Sequence, residues 1–233
     1  MHSGTGDSVT SAQPQVIYCD NHVLALRKPP GMLTQAGPGP EPSLEAWGKA
    51  WVKLRFAKPG AVFLQPVHRL DRPVSGLVLC GRTSKAVSRL NRAIRAGQWH
   101  KTYWAVVRGC PRELRGSLRH ALVHSSHRAR IVKPGQAGAR VAELSYSVVR
   151  NAAGLALLEV LPLTGRYHQI RVQLASIGCP VVGDRKYGDT MPAPGVGIAL
   201  HHRRLQVEHP VTGISLDLTA APPDGWPWST FSV

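Results

Sequence analysis

The amino-acid sequence predicts a mixed fold of the α+β type, in which strands outnumber helices. Many short stretches alternate apolar and polar residues, and several are separated only by a tight turn, as in hairpin-linked strands. The 233 residues, 43% of them hydrophobic, suffice for one sizeable core. A regular alternation of strand and helix, which would indicate a doubly wound parallel sheet, is not seen. We expect residues 15–233 to form one domain and residues 1–14 to form a flexible N-terminus.

The first predicted elements are two strands and a helix. Residues 16–18 and 23–27 are strand-like and flank a turn at residues 20–21. After a Pro- and Gly-rich loop at residues 37–42, Ser43 is a candidate N-cap. The apolar residues that follow it recur at helical spacing, which indicates a helix face packed in the core: Leu44, Trp47, Trp51 and Leu54.

A loop and a second helix follow. Strand-like residues 62–64 and 77–80 flank the loop at residues 68–76, so that rigid elements hold both of its ends. Residues 84–96 predict a helix with apolar residues on one side and basic residues on most of the others, and Gly97 ends it. The basic side is either a solvated face or a contact surface.

The second half of the chain is mostly strand-like. Residues 103–107, 140–149 and 155–161 predict strands. The polar segment at residues 112–138 lies between the first two of them and is either a hairpin or a solvent-exposed loop.

The last predicted elements are a helix and three closing strands. Thr164 is a candidate N-cap for a helix at residues 165–177. The free N–H groups at such a helix start suit an anion. Residues 198–200, 204–207 and 214–218 predict strands that complete the sheet.

The charge of the chain indicates a polyanionic partner. It has 29 Lys and Arg residues against 13 Asp and Glu residues, a formal net charge of +16 that is spread along the sequence. Such a protein attracts polyanions over long range, and nucleic acid is the usual one. A membrane surface is the competing polyanion, but the sequence has no apolar run of about 18 residues. We therefore expect a nucleic-acid partner and no membrane contact, with the basic segment at residues 112–138 as a candidate clamp.

Cysteine and histidine usage indicates neither disulfides nor a metal. The four cysteines lie far apart in the sequence, which is typical of buried thiols in a reducing compartment such as the cytoplasm. The histidines at residues 120–127 and 201–209 lack accompanying cysteine or carboxylate ligands at zinc spacing. We expect no metal.

The most informative motif is His-Arg-Leu-Asp-Arg-Pro-Val-Ser-Gly at residues 68–76. It places the carboxylate of Asp71 between Arg69 and Arg72, and nearby positive charge favours the ionised form of a carboxyl group. An ionised carboxylate in a loop can react with a bound ligand. The alternative is an ordinary salt-bridge cluster, which is the better interpretation of an isolated Asp.

Two further segments favour a reactive site. Residues 164–175 carry Arg171, whose guanidinium group suits a phosphate or a carboxylate of the protein itself. Residues 101–109 form an alternating strand that includes Tyr103. Taken alone, Tyr103 is better interpreted as a half-buried strand aromatic than as a catalytic residue.

In this order, the motifs resemble those of the RluA-type pseudouridine synthases, which convert uridine in RNA to its carbon-linked isomer. The family pattern has a strand pair with a Lys-Pro-x-Gly turn, then His-Arg-Leu-Asp-x-x-Thr-Ser-Gly, Lys-x-Tyr, Thr-Gly-Arg-x-His-Gln-Ile-Arg and Gly-x-Pro-x-x-Gly-Asp-x-x-Tyr-Gly. This sequence matches these parts at residues 17–31, 68–76, 101–103, 164–171 and 178–188. Several ordered motifs, spread over residues 15–222, are more specific than any one of them.

The resemblance implies a central mixed, largely antiparallel sheet that is split by a catalytic cleft and flanked by helices. It implies an isomerase without a cofactor, because the reaction moves the base from a nitrogen to a carbon linkage and adds no group or electron. The expected partner is RNA, with ribosomal RNA favoured over transfer RNA, and the protein is expected to be a cytoplasmic monomer. The family's frequent N-terminal RNA-binding module is expected to be missing, since few residues precede residue 15.

For the site, the resemblance implies that Asp71 is the catalytic carboxylate. It attacks ribose carbon 1, attacks ring carbon 6 or abstracts a sugar proton. Arg171 is expected to pair with this carboxylate and orient it. Tyr103 is expected to pack on the extruded base, and assistance in the loss of the ring proton is its alternative catalytic role. Packing is the better assignment, because with an unperturbed pKa of about 10 Tyr103 is a poor base. Arg69 is expected to enter the stack that the base leaves.

The remaining candidates for substrate binding follow from the same motifs. They are His68, Arg72, Arg166, His168, Gln169, Ile170 and Leu200. For Ile170 and Leu200, a plain core position is an equally good interpretation. Lys186 and Tyr187 are weaker candidates for a contact with the RNA backbone.

The chain departs from the family pattern at two positions, and two other functions stay open. Val74 stands where Thr is usual, which predicts a packing change, and Tyr167 stands where a small hydroxyl residue is usual, which predicts an altered preference for base context. A non-catalytic RNA-binding or ribosome-assembly protein would need only the net charge. It would not require Asp71, Tyr103 and Arg171 to meet in space. A hydrolase or phosphotransferase is the other alternative, but no P-loop or kinase loop accompanies the acidic loop.

Overall fold

The computed structural model describes residues 13–191 and 197–232, and the described residues confirm the predicted α+β class. The strands are β1 (Gln15–Cys19), β2 (Val23–Lys28), β3 (Gln65–Pro66), β4 (Ser75–Gly81), β5 (His100–Arg108), β6 (Arg115–Ser125), β7 (Arg128–Val132), β8 (Arg140–Ala152), β9 (Leu155–Pro162), β10 (Leu200–Glu208) and β11 (Ser215–Thr219). The helices are α1 (Leu44–Arg55), α2 (Ser84–Arg95) and α3 (Gln169–Ser176). Residues 1–14, predicted to be a flexible terminus, fall mostly outside this range.

The described strands form one sheet in the order β1-β2-β4-β10-β5-β9-β8-β6-β7, with β3 paired to β4 and β11 paired to β10. Their pairings are antiparallel except for that of β4 with β10. The parallel pairing is confined to Ser75 with His201 and Gly76 with His202. From Arg204 onward, β11 takes over the same edge of β10. The sheet is therefore only briefly joined at its centre, just after the loop that carries Asp71.

Gly76 makes this central junction possible. Its φ is +118°, and a Cβ placed on it would lie 2.5 Å from the backbone N and O of His202. Only glycine combines that backbone conformation with such a close approach between strands. The loop at residues 68–76 is thereby fixed against β10.

The helices cover both faces of the sheet. In β4, Val78 and Cys80 belong to the same apolar cluster as Leu44 and Val52 of α1. The alternate β4 residues Leu77 and Leu79 pack in a second cluster together with Leu90 of α2. The predicted apolar stripe of α1 is wrong at Leu54, whose side chain is 83% exposed because the last turn extends beyond the core.

Three predicted elements need correction. Residues 62–64 are not a strand, because β4 ends at Gly81 opposite Gln65 and offers them no partner. Residues 198–200 and 204–207 do not form separate strands, since β10 is continuous. Among the cysteines, predicted to be buried, Cys110 is exposed.

The predicted N-cap of the third helix is also wrong. The hydroxyl of Thr164 donates to Oε1 of Gln169 at 2.7 Å and accepts the backbone N–H of Glu143 at 2.8 Å. These bonds make residues 164–168 a turn, and α3 begins at Gln169 after a left-handed His168. The motif's arginine and histidine at residues 166 and 168 therefore lie before the helix.

The other strand and helix predictions are confirmed, including the hairpin within residues 112–138, which β6 and β7 form. Among the described residues, no helix has both the length and the apolar character needed to cross a membrane.

Candidate active site

A cleft of about 2350 Å³ opens between the loop at residues 68–76, β5 and the turn before α3. The cleft brings together the residues singled out in the sequence. Its lining includes Asp71, Tyr103, Arg171, His68, Arg69, Arg72, Arg166, His168, Gln169, Ile170 and Leu200.

Asp71 is held from the far side of the cleft. Its side chain is 25% exposed, and its Oδ2 accepts a hydrogen bond of 2.8 Å from Nη1 of Arg171. The Nε2 of His168 lies 3.5 Å from the same oxygen. The arrangement with two flanking arginines suggested by the local sequence is not formed, since Arg72 binds Glu41 at 2.9 Å and Arg69 is exposed.

Arg171 lies between two carboxylates. Its Nε and Nη2 donate to the two oxygens of buried Asp184 at 2.7 and 2.9 Å, while its Nη1 donates to Asp71. Burial lowers the pKa of the guanidinium, but the bonds and charges of Asp184 and Asp71 outweigh burial and raise it. Arg171 is therefore a fixed cation that presents a single N–H donor to Asp71.

Tyr103 forms an apolar wall of the cleft. Its ring stacks on that of His202, with centroids 4.5 Å apart and planes at 12°. Burial and the charge of Asp71 both raise the pKa of the phenol, so it stays protonated at neutral pH. His202 is itself fully buried and bonded through Nδ1 to the carbonyl of Leu77 at 2.7 Å. The arrangement supports packing on a bound base more than proton abstraction.

His68 lines the cleft and also forms a hydrogen bond with the sheet. Its Nε2 accepts the backbone N–H of Leu79 at 3.0 Å, and its ring lies edge-on to Trp99 and His202. Burial lowers the pKa of His68 well below its usual value. Its imidazole is neutral and fixed in orientation.

Two residues for which the sequence analysis predicted no role hold the Asp71 loop in place. Lys28 is fully buried, and its ammonium donates to the carbonyls of Pro29, Met32 and Arg72 at 2.9, 2.8 and 3.1 Å. Burial lowers its pKa to about 7.

Thr34 is the second of them. Its hydroxyl donates to the carbonyl of Leu70 at 3.0 Å and accepts the N–H of the same residue at 3.1 Å. The residue before Asp71 is thereby tied to the preceding loop. A polar residue in a loop carries little sequence signal for such a role.

The candidates in the turn before α3 have different surroundings. Gln169 is committed to the protein, because its Oε1 accepts from Thr164 and from the N–H of Arg166 while its Nε2 donates to the carbonyl of Glu143. Arg166 is exposed, with Nε bonded to the carbonyl of Val141. These contacts argue for Gln169 as a support of the turn and not as a ligand-binding group.

Ile170 and Leu200 are 7% and 3% exposed and belong to the core cluster as well as to the cleft wall. Both interpretations of these residues therefore hold at once. Tyr167 stacks on His168, with centroids 3.8 Å apart, and its ring contacts His124 of β6 in a tilted arrangement with centroids 4.1 Å apart. The aromatic ring that departs from the family pattern thus joins the hairpin to the cleft.

The cleft is cationic. Within residues 13–191 and 197–232, three carboxylates line it: Glu45, Asp71 and Glu159. Nine basic residues face them: Arg69, Arg72, Arg95, Lys101, Arg166, Arg171, Lys186, Arg203 and Arg204. This excess suits a polyanion that surrounds one reactive carboxylate. Among the described residues, no cluster of three or more His, Cys, Asp or Glu side chains is placed to hold a metal ion.

A carboxylate held by an ion pair inside a cationic cleft suits an enzyme that acts on nucleic acid, and comparison with known proteins identifies its family. The sequence profile of the RNA pseudouridylate synthases matches residues 22–176. Ribosomal large subunit pseudouridine synthase C of Escherichia coli (strain K12) is 33% identical over 220 residues, which cover 90% of this chain and 67% of that protein. The mitochondrial pseudouridylate synthase RPUSD4 of Xenopus tropicalis is 32% identical over 197 residues, 74% of this chain and 60% of that protein.

The structure of human RNA pseudouridylate synthase domain containing 4 shows the same fold, with a TM-score of 0.75, 22% identity and coverage of 89% of this chain and 88% of that one. The chain therefore belongs to the RNA pseudouridylate synthase family and is an enzyme that isomerises uridine in RNA to pseudouridine. This confirms the family resemblance drawn from the sequence motifs.

Proposed function

We propose that this protein converts uridine of ribosomal RNA to pseudouridine with Asp71 as the catalytic carboxylate. The observation that carries the proposal is the 2.8 Å ion pair of Asp71 with buried Arg171, formed inside a cationic cleft. The pair fixes the position of the carboxylate that would face a bound nucleotide.

The reaction balances within the nucleotide. The bond from ribose carbon 1 to base nitrogen 1 breaks, a bond from the same carbon to base carbon 5 forms, and one proton leaves carbon 5 while one is gained at nitrogen 1. An ionised Asp71 can attack ribose carbon 1, attack ring carbon 6 or abstract a sugar proton. Each of these steps needs the same carboxylate at the same place.

The target uridine must leave its stack to reach Asp71, at a cost of a few kcal/mol. Arg69 is exposed at the mouth of the cleft, which suits the proposed entry of its side chain into the vacated stack. Tyr103 would pack on the extruded base with its ring already held by His202. Arg72, Arg166 and His68 are proposed to contact the nucleotides around it.

Ribosomal RNA is proposed over transfer RNA because the Escherichia coli relative is named for the large ribosomal subunit. The net charge of +16 supports a large structured RNA as the partner. We further propose that residues 15–233 act as a single catalytic domain, as a monomer and in the cytoplasm.

The test is mass-spectrometric mapping of pseudouridine in cellular RNA, with the wild-type gene, without it, and with Asp71→Asn. We expect one or a few ribosomal positions to lose pseudouridine in both altered strains. Asp224→Asn, at an exposed carboxylate outside the lining of the cleft, is the matched control and should leave the map intact. An Asp71→Asn strain with an unchanged map would contradict the catalytic role of Asp71, and loss confined to transfer RNA would contradict the proposed substrate.

A further inference from the structure

Tyr187 contacts both side chains that bind Asp71. Its hydroxyl lies 2.8 Å from Nδ1 of His168, and the guanidinium of Arg171 lies 5.2 Å from the centroid of its ring. His168 and Arg171 are the two neighbours of the Asp71 oxygen Oδ2, at 3.5 and 2.8 Å. Tyr187 itself sits in the 3₁₀ helix Arg185–Tyr187 and does not contact the carboxylate.

The hydrogen bonds around Tyr187 determine where its proton points. The backbone N–H of Ala129 donates to the Tyr187 oxygen at 2.7 Å, and an amide nitrogen can only donate. If His168 also donated from Nδ1, the phenol proton would lack an acceptor among the described residues. The phenol therefore donates to Nδ1 of His168.

The same tautomer is favoured from the other side of the imidazole ring. Burial lowers the pKa of His168 to about 4, so the ring carries one proton at neutral pH. With Nδ1 accepting, that proton is on Nε2, which faces Oδ2 of Asp71. An unprotonated Nε2 would instead present a lone pair to a carboxylate. At 3.5 Å the contact is long for a hydrogen bond, as catalytic contacts often are before the substrate is bound.

We infer that Tyr187 is a positioning residue, whose hydroxyl holds His168 as the Nε2–H tautomer and thereby fixes the reacting carboxylate of Asp71. The inference rests on the proposed catalytic role of Asp71. Both donors, Nη1 of Arg171 and Nε2–H of His168, point at Oδ2. Among the described residues no hydrogen bond occupies Oδ1, so this oxygen is left to face the nucleotide.

The support for Asp71 extends into the β6–β7 hairpin. The N–H that fixes the phenol belongs to Ala129 of β7, and Lys186 donates to the carbonyl of His127 at the hairpin turn at 2.9 Å. The ring of Tyr167 covers one face of His168. The hairpin thus contacts both aromatic residues that flank His168, because Ala129 binds the Tyr187 hydroxyl and His124 lies against the Tyr167 ring.

The direct test is the tautomer of His168 in the wild-type protein. Labelling with ¹⁵N-histidine and recording two-bond ¹H–¹⁵N spectra at pH 7 distinguishes the two neutral forms, and His168→Asn assigns the signals. We expect the Nε2–H form in the wild type and a mixture of tautomers in Tyr187→Phe. A wild-type His168 protonated on Nδ1 would overturn the inference, whether or not any variant folds.

The second test separates rate from binding. In single-turnover reactions with RNA, Tyr187→Phe keeps the ring against Arg171 and should lower the rate at saturating enzyme about tenfold while half-saturation stays within about twofold. The matched control is Tyr18→Phe. Tyr18 lies on β1, outside the cleft, and its hydroxyl donates to Oδ2 of Asp20 at 2.9 Å. This variant should react at the wild-type rate.

The outcomes also distinguish the two proposals. A wild-type rate for Tyr187→Phe with an inactive Asp71→Asn would refute the positioning role alone. An active Asp71→Asn would refute the proposed function instead. A loss in Tyr187→Phe that appears only in half-saturation would identify Tyr187 as an RNA contact and refute the positioning role.

Discussion

Asp184 binds the guanidinium of Arg171 through two hydrogen bonds of 2.7 and 2.9 Å, with both side chains almost completely buried. This bidentate pair turns the third nitrogen of the guanidinium toward Asp71. Asp184 is therefore the residue that aims Arg171, although it lies outside the lining of the cleft.

Asp184→Asn should destabilise the fold by about 3 kcal/mol, because it leaves a buried guanidinium with only one carboxylate. Urea unfolding at pH 7 measures the loss. Asp217→Asn removes a carboxylate from an exposed pair with Arg204 and should cost far less, because solvent screens that pair. Equal losses in the two variants would show that the buried pair contributes no more to the free energy of unfolding than the exposed pair does.

Gly76→Ala should destabilise the fold by about 3 kcal/mol or more, since both its positive φ and the backbone of His202 oppose a Cβ. Gly97 has a φ of +69° and open space around its Cβ position. Gly97→Ala should therefore show only the conformational cost of about 1 kcal/mol. Thermal unfolding of the two variants separates the clash from the strain, and a smaller loss at Gly76 would contradict the close approach of β4 and β10.

Acidification should destabilise the protein between about pH 6.5 and pH 4, because burial holds four histidines neutral: His68, His168, His201 and His202. Burial lowers the pKa of His168 and His201 to about 4 and that of His202 to about 3. In this range the unfolded chain binds more protons than the folded one, so the free energy of unfolding falls as the pH falls. Each histidine contributes up to about 1.4 kcal/mol per pH unit.

Urea unfolding at pH 7, 6 and 5 tests this pH dependence. His201→Gln should make the acid-side slope shallower by about one proton, since its amide can still bond near Ser75 and Ala220. A slope equal to that of the wild type would mean that His201 titrates alike in the folded and unfolded states.

Lys101→Met should weaken RNA binding about fivefold and reduce the slope of log K against log salt by about 0.7 to 0.9. The Lys101 side chain lines the cleft and has no acidic partner among the described residues, and burial lowers its pKa. A cation that gives up hydration without a carboxylate is suited to bind a phosphate. Lys53→Met, on the exposed end of α1, is the control and should leave the affinity unchanged. Titrations at several salt concentrations that give parallel lines for Lys101→Met and the wild type would contradict a phosphate contact.

Apolar periodicity and end signals in the sequence predicted those elements whose bounds depend on neighbouring residues alone. The helix predicted at residues 84–96 is found at Ser84–Arg95, because its apolar period and its end at Gly97 agree. The start of α3 was misplaced because Thr164, a good N-cap by type, bonds instead to Gln169 and Glu143. A side chain with several possible partners is decided by the tertiary structure.

The sequence predicted which residues line the cleft better than it predicted the contacts that those residues make. Spacing alone suggested that Asp71 pairs with the arginines beside it, whereas its partner is Arg171 on another element. The family resemblance supplied that pair. Lys28 and Asp184 lie in the quoted motifs, but their roles were not predicted, because a sequence does not distinguish a buried charge from an exposed one.

The position of β10 in the sheet determines when the active site can form during co-translational folding. This strand comes late in the chain yet lies between β4 and β5 in the sheet. Asp71, in the loop before β4, likewise pairs with Arg171, which lies 100 residues further along the chain. A nascent chain that has emerged only as far as β9 can bury much of its apolar surface but cannot assemble the cleft. The capacity to modify RNA therefore arises only after β10 has emerged, in one step with the closing of the sheet.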